Sequence, residues 1–338
     1  MEGTVLVTGG AGFIGAHVAR ALLAAGFRVV VLDDLSGGHR RNVPDGAEFV
    51  EGSILDDRLL NDLFARHRFR FVYHLAAYAA EGLSHFIRRF NYMNNVVGSV
   101  NLVNEAVRHD VECFVFTSSI AVYGAIEPPM HEGQAAHPED PYGIAKYAVE
   151  QDLEAARRMF GLPYVIFRPH NVYGEFQNVA DPYRNVVGIF MNQIMKGAPM
   201  SVFGDGTQRR AFSYVGDVAP VIAAGAWTPG ARNQVFNVGA DEAVSVGDLA
   251  HAVARAMGAP GHEVINLPER QEVQFAWADH SRCQEVFGAP AMTPLADGLA
   301  RMAAWVREEG PRATPPFGAI ELERGLPPSW RALQERRA

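Results

Sequence analysis

The sequence predicts an α/β fold, with a doubly wound parallel sheet followed by a smaller C-terminal domain. In the first half of the chain, short apolar runs alternate with segments of helical periodicity, a pattern typical of a parallel sheet covered by helices on both faces. A glycine-rich turn follows the first apolar run, and such sheets bind ligands at the carboxyl ends of their strands. The 338 residues suffice for one large domain or two unequal ones.

The predicted elements follow one another in β–α order. Strands are predicted at 4–8, 28–32, 71–75, 113–117 and 164–167, and helices at 14–25, 96–108 and 142–160. Beyond residue 169 the pattern loosens, since residues 174–185 are polar and turn-rich, and shorter elements follow at 235–238 and 246–257. This organisation predicts a first domain at 1–170, to which later segments such as 211–240 return, a second domain at 171–310, and a proline-rich tail at 311–338 along the surface.

Bulk composition excludes several classes of function. A net charge of −8 and a pI near 5.8 give no general attraction to nucleic acid or to an anionic membrane. The two cysteines, Cys113 and Cys283, lack metal-ligand spacing, so we expect two buried or inert thiols rather than a disulfide, and no metal site. No secretory signal is visible and no apolar run approaches the ~18 residues of a membrane span. We therefore expect a cytoplasmic location and a small-molecule ligand.

The glycine-rich turn at residues 8–15 opens the first helix. Its glycines let the backbone turn tightly and approach a pyrophosphate at the helix N-terminus. Asp33 ends the second strand, 18 residues after Gly15, where a carboxylate binds adenosine ribose hydroxyls and repels a 2′-phosphate. The turn therefore favours NAD, although Arg40 and Arg41 leave NADP open. Structural glycines in a tight turn are the alternative interpretation.

A second group of residues is typical of proton transfer. Ser119 follows the strand predicted at 113–117, and Tyr142 and Lys146 lie one turn apart on the next helix, directly after Pro141. A tyrosine with a pKa of ~10 needs a nearby positive charge to act as a base near neutrality, and Lys146 is predicted to supply it. A Tyr-x-x-x-Lys pair alone often means only an exposed helix pair. Its position after the glycine turn and the serine-rich strand end favours catalysis by Ser119, Tyr142 and Lys146.

The spacing Gly-x-x-Gly-x-x-Gly resembles that of extended short-chain dehydrogenases. His74-Leu75-Ala76-Ala77 at the end of the strand predicted at 71–75 and Asn94-Asn95-Val96-x-Gly98 on the next helix agree with this superfamily. Ser53 departs from it, because the family usually has an aspartate there against the adenine amine. The resemblance implies an NAD-binding Rossmann domain whose cofactor-binding residues are Gly9, Gly12, Phe13, Ile14, Gly15, Asp33, Asp34, Leu35, Ser36, Gly37, Gly38, Ser53, Ile54, Leu75, Ala76, Ala77, Tyr78, Asn94, Ser118, Tyr142, Lys146 and His170.

Two further segments narrow the resemblance to the UDP-glucose 4-epimerase (galactose epimerase) family, over residues 5 to about 305. They are the strand end at 119–124 and the Arg-Pro-His-Asn-Val-Tyr-Gly run at 168–174. Sugar-nucleotide 4,6-dehydratases share the fold, but they carry an Asp-Glu pair after the catalytic hydroxyl. This chain has Ile120 and Ala121 there, and neither side chain can transfer a proton. The same pair departs from decarboxylases of UDP-glucuronate.

The resemblance implies inversion at C4 of a UDP-hexose through a transient 4-keto sugar, with the hexose loosely held. It places Asn171 and Asn185 at the diphosphate, Arg210 at a phosphate and Ser201 with Phe203 at the uracil. Without a visible carboxylate clamp a neutral hexose is favoured, and the small Ala276 leaves room for an N-acetyl group. The implied substrate-binding residues are Ser119, Tyr142, Asn171, Asn185, Ser201, Phe203, Arg210, Arg270 and Glu272.

Two alternatives remain at this point. One is a UDP-glucuronate 4-epimerase, and the other, from a different class, is a non-catalytic NAD-binding sensor. The resemblance also implies a homodimer formed through the helices that contain Asn94 and Tyr142.

Overall fold

The computed structural model describes residues 2–270, 272–312, 317–318 and 320–335. A seven-stranded sheet contains β1 (Thr4–Thr8), β2 (Arg28–Asp33), β3 (Glu48–Glu51), β4 (Phe71–His74), β5 (Cys113–Thr117), β6 (Tyr164–Pro169) and β11 (Gln234–Val238). The short strands are β7 (Val172–Tyr173), β8 (Met200–Phe203), β9 (Arg209–Ala211), β10 (Ser213–Tyr214), β12 (Ala243–Ser245), β13 (Val264–Leu267) and β14 (Phe275–Ala276).

Helices connect and cover these strands. They are α1 (Phe13–Ala24), α2 (Asp57–His67), α3 (Glu81–Ser84), α4 (Arg88–Tyr92), α5 (Gly98–Arg108), α6 (Pro141–Phe160), α7 (Val186–Met195), α8 (Val215–Ala224), α9 (Val246–Ala256), α10 (Ser281–Phe287), α11 (Leu295–Glu309) and α12 (Pro328–Glu335).

The large sheet is parallel throughout, in the order β11-β6-β5-β4-β1-β2-β3. From β1 the chain first builds outward through β2 and β3, and then returns to the other side of β1 to place β4, β5 and β6. This reversal leaves a crevice at the carboxyl ends of β1 and β4, where ligands bind in such sheets. The predicted fold class, a doubly wound parallel sheet, is confirmed.

Alternating side chains of each strand enter two different cores. Val5 and Val7 of β1 pack with α1 and α8 on one face, whereas Leu6 packs with α2, α5 and α6 on the other. All five residues of β1 are buried, as expected for a strand covered on both faces. The second core therefore requires the helices on the far side of the sheet.

Most predicted boundaries agree with the structure within two residues, and the exceptions have physical reasons. β3 and α2 fall in a region for which no element was predicted. The helix predicted at 96–108 is preceded without a break by α4 and a π-helical turn, Met93–Val97, so it starts well before the predicted residue. The residues before 96 form a polar, aromatic stretch without a clear apolar stripe, so the sequence pattern did not indicate where the helical segment begins.

The second half of the chain builds a smaller substructure and also returns to the large sheet. β8 pairs with β13, and β9 lies between β12 and β14. In the chain between β9 and β12, α8 packs in the core beside α1, and β11 pairs with β6. Within residues 211–240, α8 therefore packs against the large sheet and β11 is one of its strands.

The C-terminal tail does more than lie along the surface. α11 ends at Glu309, and residues 320–335 lie against the region of α3 and α4, where the Glu321 carboxylate accepts the backbone N–H groups of Arg89 and Phe90, each at 2.8 Å. Pro328 then starts α12, and Trp330 is buried with Leu326 in a hydrophobic cluster. The prediction of a surface tail is corrected in this respect. The reason is that a proline at a first helical position starts a helix.

Three observations concern membrane-spanning helices, metal sites and the cysteines. Within the part of the chain that the structure describes, no helix is long and apolar enough to cross a membrane. The same residues contain no cluster of three or more His, Cys, Asp or Glu side chains placed to hold a metal ion. Cys113 and Cys283 are both buried and free, as expected.

Candidate active site

A cavity of about 490 Å³ opens at the carboxyl ends of the parallel strands and extends to the smaller substructure. Every predicted site residue except Leu35 and Ser53 lines its wall. Leu35 instead directs its backbone N–H at Asp33, and the Ser53 hydroxyl accepts the N–H of Leu55 in a local turn. The structure therefore places these two residues beside the cavity wall, and their contact with a cofactor stays a prediction. The reason is that both belong to turns whose local hydrogen bonds hold them beside the cavity rather than in its lining.

The glycine turn brings three backbone segments together below the first helix. Gly9 has a φ of 72°, and a Cβ atom on it would lie 2.7 Å from the backbone nitrogen of Ala76. A Cβ atom on Gly15 would lie 2.1 Å from the Gly9 carbonyl oxygen. Only glycine fits at these positions. As a result, the N-terminus of α1, with its free N–H groups, faces the cavity and fits a pyrophosphate.

Asp33 lies at the end of β2 and lines the cavity. Its carboxylate accepts the backbone N–H groups of Ala11, at 3.0 Å, and of Leu35, at 2.8 Å. Burial raises the pKa of Asp33, and these two hydrogen bonds oppose that change. A carboxylate oriented in this way has lone pairs left for ribose hydroxyls. The turn and Asp33 together fit NAD.

Tyr142 and Lys146 are oriented by the start of α6. The Asp140 carboxylate caps this helix and accepts the backbone N–H groups of Tyr142, at 2.9 Å, and Gly143, at 3.0 Å. Lys146 is buried, and its Nζ donates to the carbonyl oxygen of Thr117 at 2.8 Å. The same Nζ lies 5.8 Å from the centre of the Tyr142 ring. The end of β5 and the first turn of α6 therefore form one wall of the cavity.

Burial dominates the electrostatics of this pair. It raises the pKa of Tyr142, and a hydrogen bond with Ser119 opposes this rise. Burial also lowers the pKa of Lys146 to about 7, against the charge of Glu150. At Tyr142 desolvation outweighs the contacts that oppose it, and the role of Lys146 in lowering the Tyr142 pKa stays a prediction. The hydrogen bond with Ser119 and, to a smaller extent, the charge of Arg184 favour the phenolate.

A buried ion pair that the sequence did not indicate supports the serine-rich strand end. Glu150 of α6 accepts the Ser118 hydroxyl at 2.5 Å and the Arg168 Nε at 3.0 Å, and it also binds the Arg168 Nη2. Both charged side chains are buried. Glu150 therefore links α6 to the ends of β5 and β6, from which Ser118 and His170 reach the cavity.

His170 lies at the end of β6 and is held by a chain of polar contacts. Its Nδ1 faces the carbonyl oxygen of Ala211 at 3.2 Å, and its Nε2 lies 2.9 Å from Nε2 of His280. Nδ1 of His280 in turn contacts the Asp241 carboxylate at 2.5 Å. Burial lowers the pKa of His170 to about 3, so its ring is neutral near pH 7.

The predicted substrate residues form the far end of the cavity. Asn171 donates to the Ala211 carbonyl oxygen at 3.1 Å, and Asn185 caps α7. The Arg270 guanidinium lies 4.4 Å from the centre of the Phe203 ring and pairs with Glu272 at 2.9 Å. A flat aromatic ring beside a guanidinium fits a nucleobase, and the neighbouring arginine, asparagine and helix N-terminus fit phosphates.

Several lining residues were not predicted from the sequence. Arg184 lies 5.0 Å over the Tyr78 ring and pairs with Asp181 at 2.6 Å. An arginine directly before the predicted Asn185 was a signal that could have identified it. Glu81, in contrast, lies on a four-residue helix that shows no periodicity. The other unpredicted polar residues in the wall include Gln177, Asn178, Tyr183 and Gln208.

A smaller cavity of about 70 Å³ adjoins the main one. The two share Glu81, Ile120, Asn171, Arg210 and Glu272 in their walls. Ala121 and the buried Ala276 also line the smaller cavity. Space is therefore present beside Ile120 and Ala121, next to the Ser119–Tyr142 pair.

Comparison with known proteins gives a consistent result. Residues 5–239 match the NAD dependent epimerase/dehydratase family. The chain is 35% identical over 315 residues to the UDP-glucose 4-epimerase of Mycolicibacterium smegmatis, which covers 90% of this chain and 98% of that protein. In structure it is similar to the UDP-glucose 4-epimerase of Thermotoga maritima solved with UDP-glucose, with a TM-score of 0.85, 34% identity, and coverage of 90% of this chain and 99% of that one.

The UDP-glucose 4-epimerase of Thermus thermophilus, solved in complex with NAD, also has a TM-score of 0.85, with 32% identity and coverage of 90% and 99% of the two chains. These matches confirm NAD as the predicted cofactor. The chain belongs to the NAD dependent epimerase/dehydratase family.

Proposed function

We propose that this protein is an NAD-dependent 4-epimerase of a UDP-hexose with an uncharged sugar, such as UDP-glucose and UDP-galactose. One observation carries the proposal: Ser119, Tyr142 and Lys146 line the same cavity as Ile120, and Ala121 lines the space beside it. Proton transfer at one oxygen is therefore available, whereas the two positions that directly follow Ser119, where dehydratases carry their acid and base, hold side chains that cannot transfer a proton.

In the proposed reaction, Tyr142 accepts the proton of the C4 hydroxyl while Ser119 hydrogen-bonds the same oxygen. Bound NAD supplies the acceptor and donor of the C4 hydride and a positively charged ring. Tyr142 and Ser119 then return the proton when the opposite face of the 4-keto sugar is reduced. Lys146 holds the end of β5 through Thr117 and, with a pKa of about 7, carries charge for part of the population at neutrality.

The binding residues support a division between an anchored nucleotide and a mobile hexose. Phe203 with Arg270 offers a surface for the uracil, and Arg210 with the two asparagines offers groups for the diphosphate. The hexose would then occupy the part of the cavity next to Ser119, where Ile120 contributes no polar contact. A sugar held chiefly through its nucleotide is free to turn over between the two half-reactions.

Ala276 supports turnover of an N-acetylated sugar. Its small side chain lines the smaller cavity beside Asn171 and Ile120, which provides volume for a substituent on the hexose. We therefore propose that UDP-N-acetylglucosamine is also converted. Turnover of UDP-glucose without detectable turnover of UDP-N-acetylglucosamine would contradict this part of the proposal.

We also propose a homodimer through α6 and the helical segment around Asn94. Three apolar side chains on these elements, Met93, Val97 and Ile144, are 39%, 40% and 41% exposed. The two elements pack together, since the Asn91 side chain donates to the Pro141 carbonyl oxygen at 2.8 Å. Light scattering after gel filtration tests the proposal: Val97→Arg is expected to give monomers, and a monomeric wild type contradicts it.

The main experiment is incubation of the purified protein with a panel of UDP-sugars without added NAD. Conversion of UDP-glucose to UDP-galactose supports the proposal and shows a retained cofactor. Tyr142→Phe is expected to lower kcat by about 10²–10⁴-fold, the usual contribution of a general base, while UDP still binds. Conversion of UDP-glucuronate in preference to UDP-glucose, or of no UDP-sugar at all, contradicts the proposal and favours the uronate epimerase or the sensor.

A further inference from the structure

Glu81 is a carboxylate that the proposed reaction leaves without a role. It begins α3, directly after the loop that carries Ala76 and Tyr78, and it lines both the main and the smaller cavity. The Glu81 backbone carbonyl accepts the Ser84 hydroxyl at 2.6 Å. Its carboxylate, within the described residues, has charged neighbours but no hydrogen bond to the protein. A carboxylate therefore faces the space next to Ser119 with its acceptors available.

The charged neighbours of Glu81 direct their own hydrogen bonds elsewhere. Asp140 accepts the N–H groups at the start of α6, and Arg270 pairs with Glu272. Arg210 donates to backbone carbonyl groups, including that of Gln274 at 2.8 Å. Glu81 is thus the acidic group of this set that remains for a ligand.

The charges in this corner nearly balance before a substrate enters. Three carboxylates, of Glu81, Asp140 and Glu272, face two guanidinium groups, of Arg210 and Arg270. With Glu81 charged, these five groups carry one excess negative charge, and the diphosphate of a UDP-sugar adds more. A sugar that carries its own carboxylate would bring a further like charge into a partly enclosed space, where charges interact more strongly than in water.

We propose that Glu81 is a specificity-determining residue that faces the hexose, accepts a hydrogen bond from a hydroxyl of an uncharged sugar, and repels a uronate. This inference rests on the proposed function and names the substrate class of the same site. Under this proposal, repulsion by the charge of Glu81 excludes uronates, in addition to the absence of a carboxylate clamp.

Titration of Glu81 supports the proposal and supplies a test. The Glu81 side chain is exposed to the cavity, and its enclosure by protein on the other sides, followed by the charge of Asp140, raises its pKa to about 7. The charge on Glu81 therefore decreases as the pH is lowered from 8 to 6, whereas a uronate carboxylate is charged at both. Other charged or titratable groups that face this corner are Asp140, Tyr142, Lys146, Arg210, Arg270, Glu272 and His85, which lies near Asp140.

The experiment is calorimetric titration of the NAD-loaded protein with UDP, UDP-glucose and UDP-glucuronate at pH 6 and pH 8. For wild type at pH 8, we expect UDP-glucuronate to bind at least about tenfold more weakly than UDP-glucose, with a smaller ratio at pH 6. Glu81→Gln keeps the shape and removes the charge. It is expected to bring the two affinities within about threefold at both pH values. Glu285→Gln, on the exposed face of α10, is the matched control and is expected to behave as wild type.

Because Lys146 also titrates near pH 7, the comparison of variants decides the outcome. A ratio of UDP-glucuronate to UDP-glucose affinity that is the same in Glu81→Gln and wild type at pH 8 overturns the proposal. If Glu81→Gln does not bind UDP, Glu81→Val replaces it under the same criterion. The affinities are obtained whether or not the sugar is converted, so failure of every UDP-sugar to be converted refutes the proposed function alone, whereas an unchanged ratio refutes the role of Glu81.

Discussion

Replacement of Glu150 by alanine is expected to lower the free energy of unfolding by about 3–5 kcal/mol, the cost of leaving a buried charge without its partner. Glu150 is 3% exposed and Arg168 is 5% exposed, so neither water nor another carboxylate replaces the lost contacts. The change removes two charge-assisted hydrogen bonds to Arg168 and one from the Ser118 hydroxyl. The Arg168 guanidinium then keeps its contact with the Tyr123 ring, whose centre lies 4.8 Å away.

Thermal unfolding followed by circular dichroism measures this effect. At roughly 2 °C per kcal/mol for a protein of this size, Tm is expected to fall by roughly 6–10 °C. Glu154→Ala is the matched control, because Glu154 lies one turn further along α6 and pairs with the partly exposed Arg157. It is expected to change the free energy of unfolding by less than about 1 kcal/mol. Equal Tm values for the two variants would refute the argument from burial.

Three further changes test other parts of the site. Gly15→Ala places a Cβ atom 2.1 Å from the Gly9 carbonyl oxygen, so we expect loss of bound NAD with unchanged circular dichroism, and retained NAD would contradict the steric argument. Lys146→Met removes an amine whose pKa is lowered to about 7. The unfolded chain holds that proton up to pH ~10.4, so the Tm gain of the variant is expected to be largest below pH 7 and to vanish towards pH ~10.4; a constant gain contradicts the shift. Ala276→Tyr fills the smaller cavity and is expected to reduce turnover of UDP-N-acetylglucosamine by at least about tenfold, and that of UDP-glucose by less than about threefold.

The features that the sequence predicts well depend on local chemistry. β1 and β5 are buried at every position, so uninterrupted apolar runs locate them. The turn leaves no room for a side chain at Gly9 or Gly15, and it can be recognised from the sequence without knowledge of the rest of the fold. The helix that carries Tyr142 is likewise marked by Asp140 and Pro141, a capping residue and a first-position proline.

Features that depend on contacts between distant segments were not predicted. Glu81 reaches the cavity because α3 packs near Asp140, almost sixty residues later, and its sequence surroundings show no periodicity. Burial of Trp330 depends on partners in α3 and α4 and on Tyr183, none of which its own segment specifies. The pKa of Tyr142 follows from desolvation, which is a property of the assembled cavity rather than of the spacing to Lys146.

The packing of the C-terminal segment has a consequence for thermodynamic linkage. The Phe317 ring lies 5.0 Å from that of Tyr78, and Trp330 lies 5.2 Å from Tyr183 and 6.4 Å from Phe203, all three of which line the main cavity. Coupled binding equilibria are reciprocal. The factor by which docking of this segment strengthens nucleotide binding is therefore the factor by which a bound nucleotide strengthens docking of the segment. Amide hydrogen exchange in residues 320–335 should slow when UDP binds, so residues outside the nucleotide site report its occupancy.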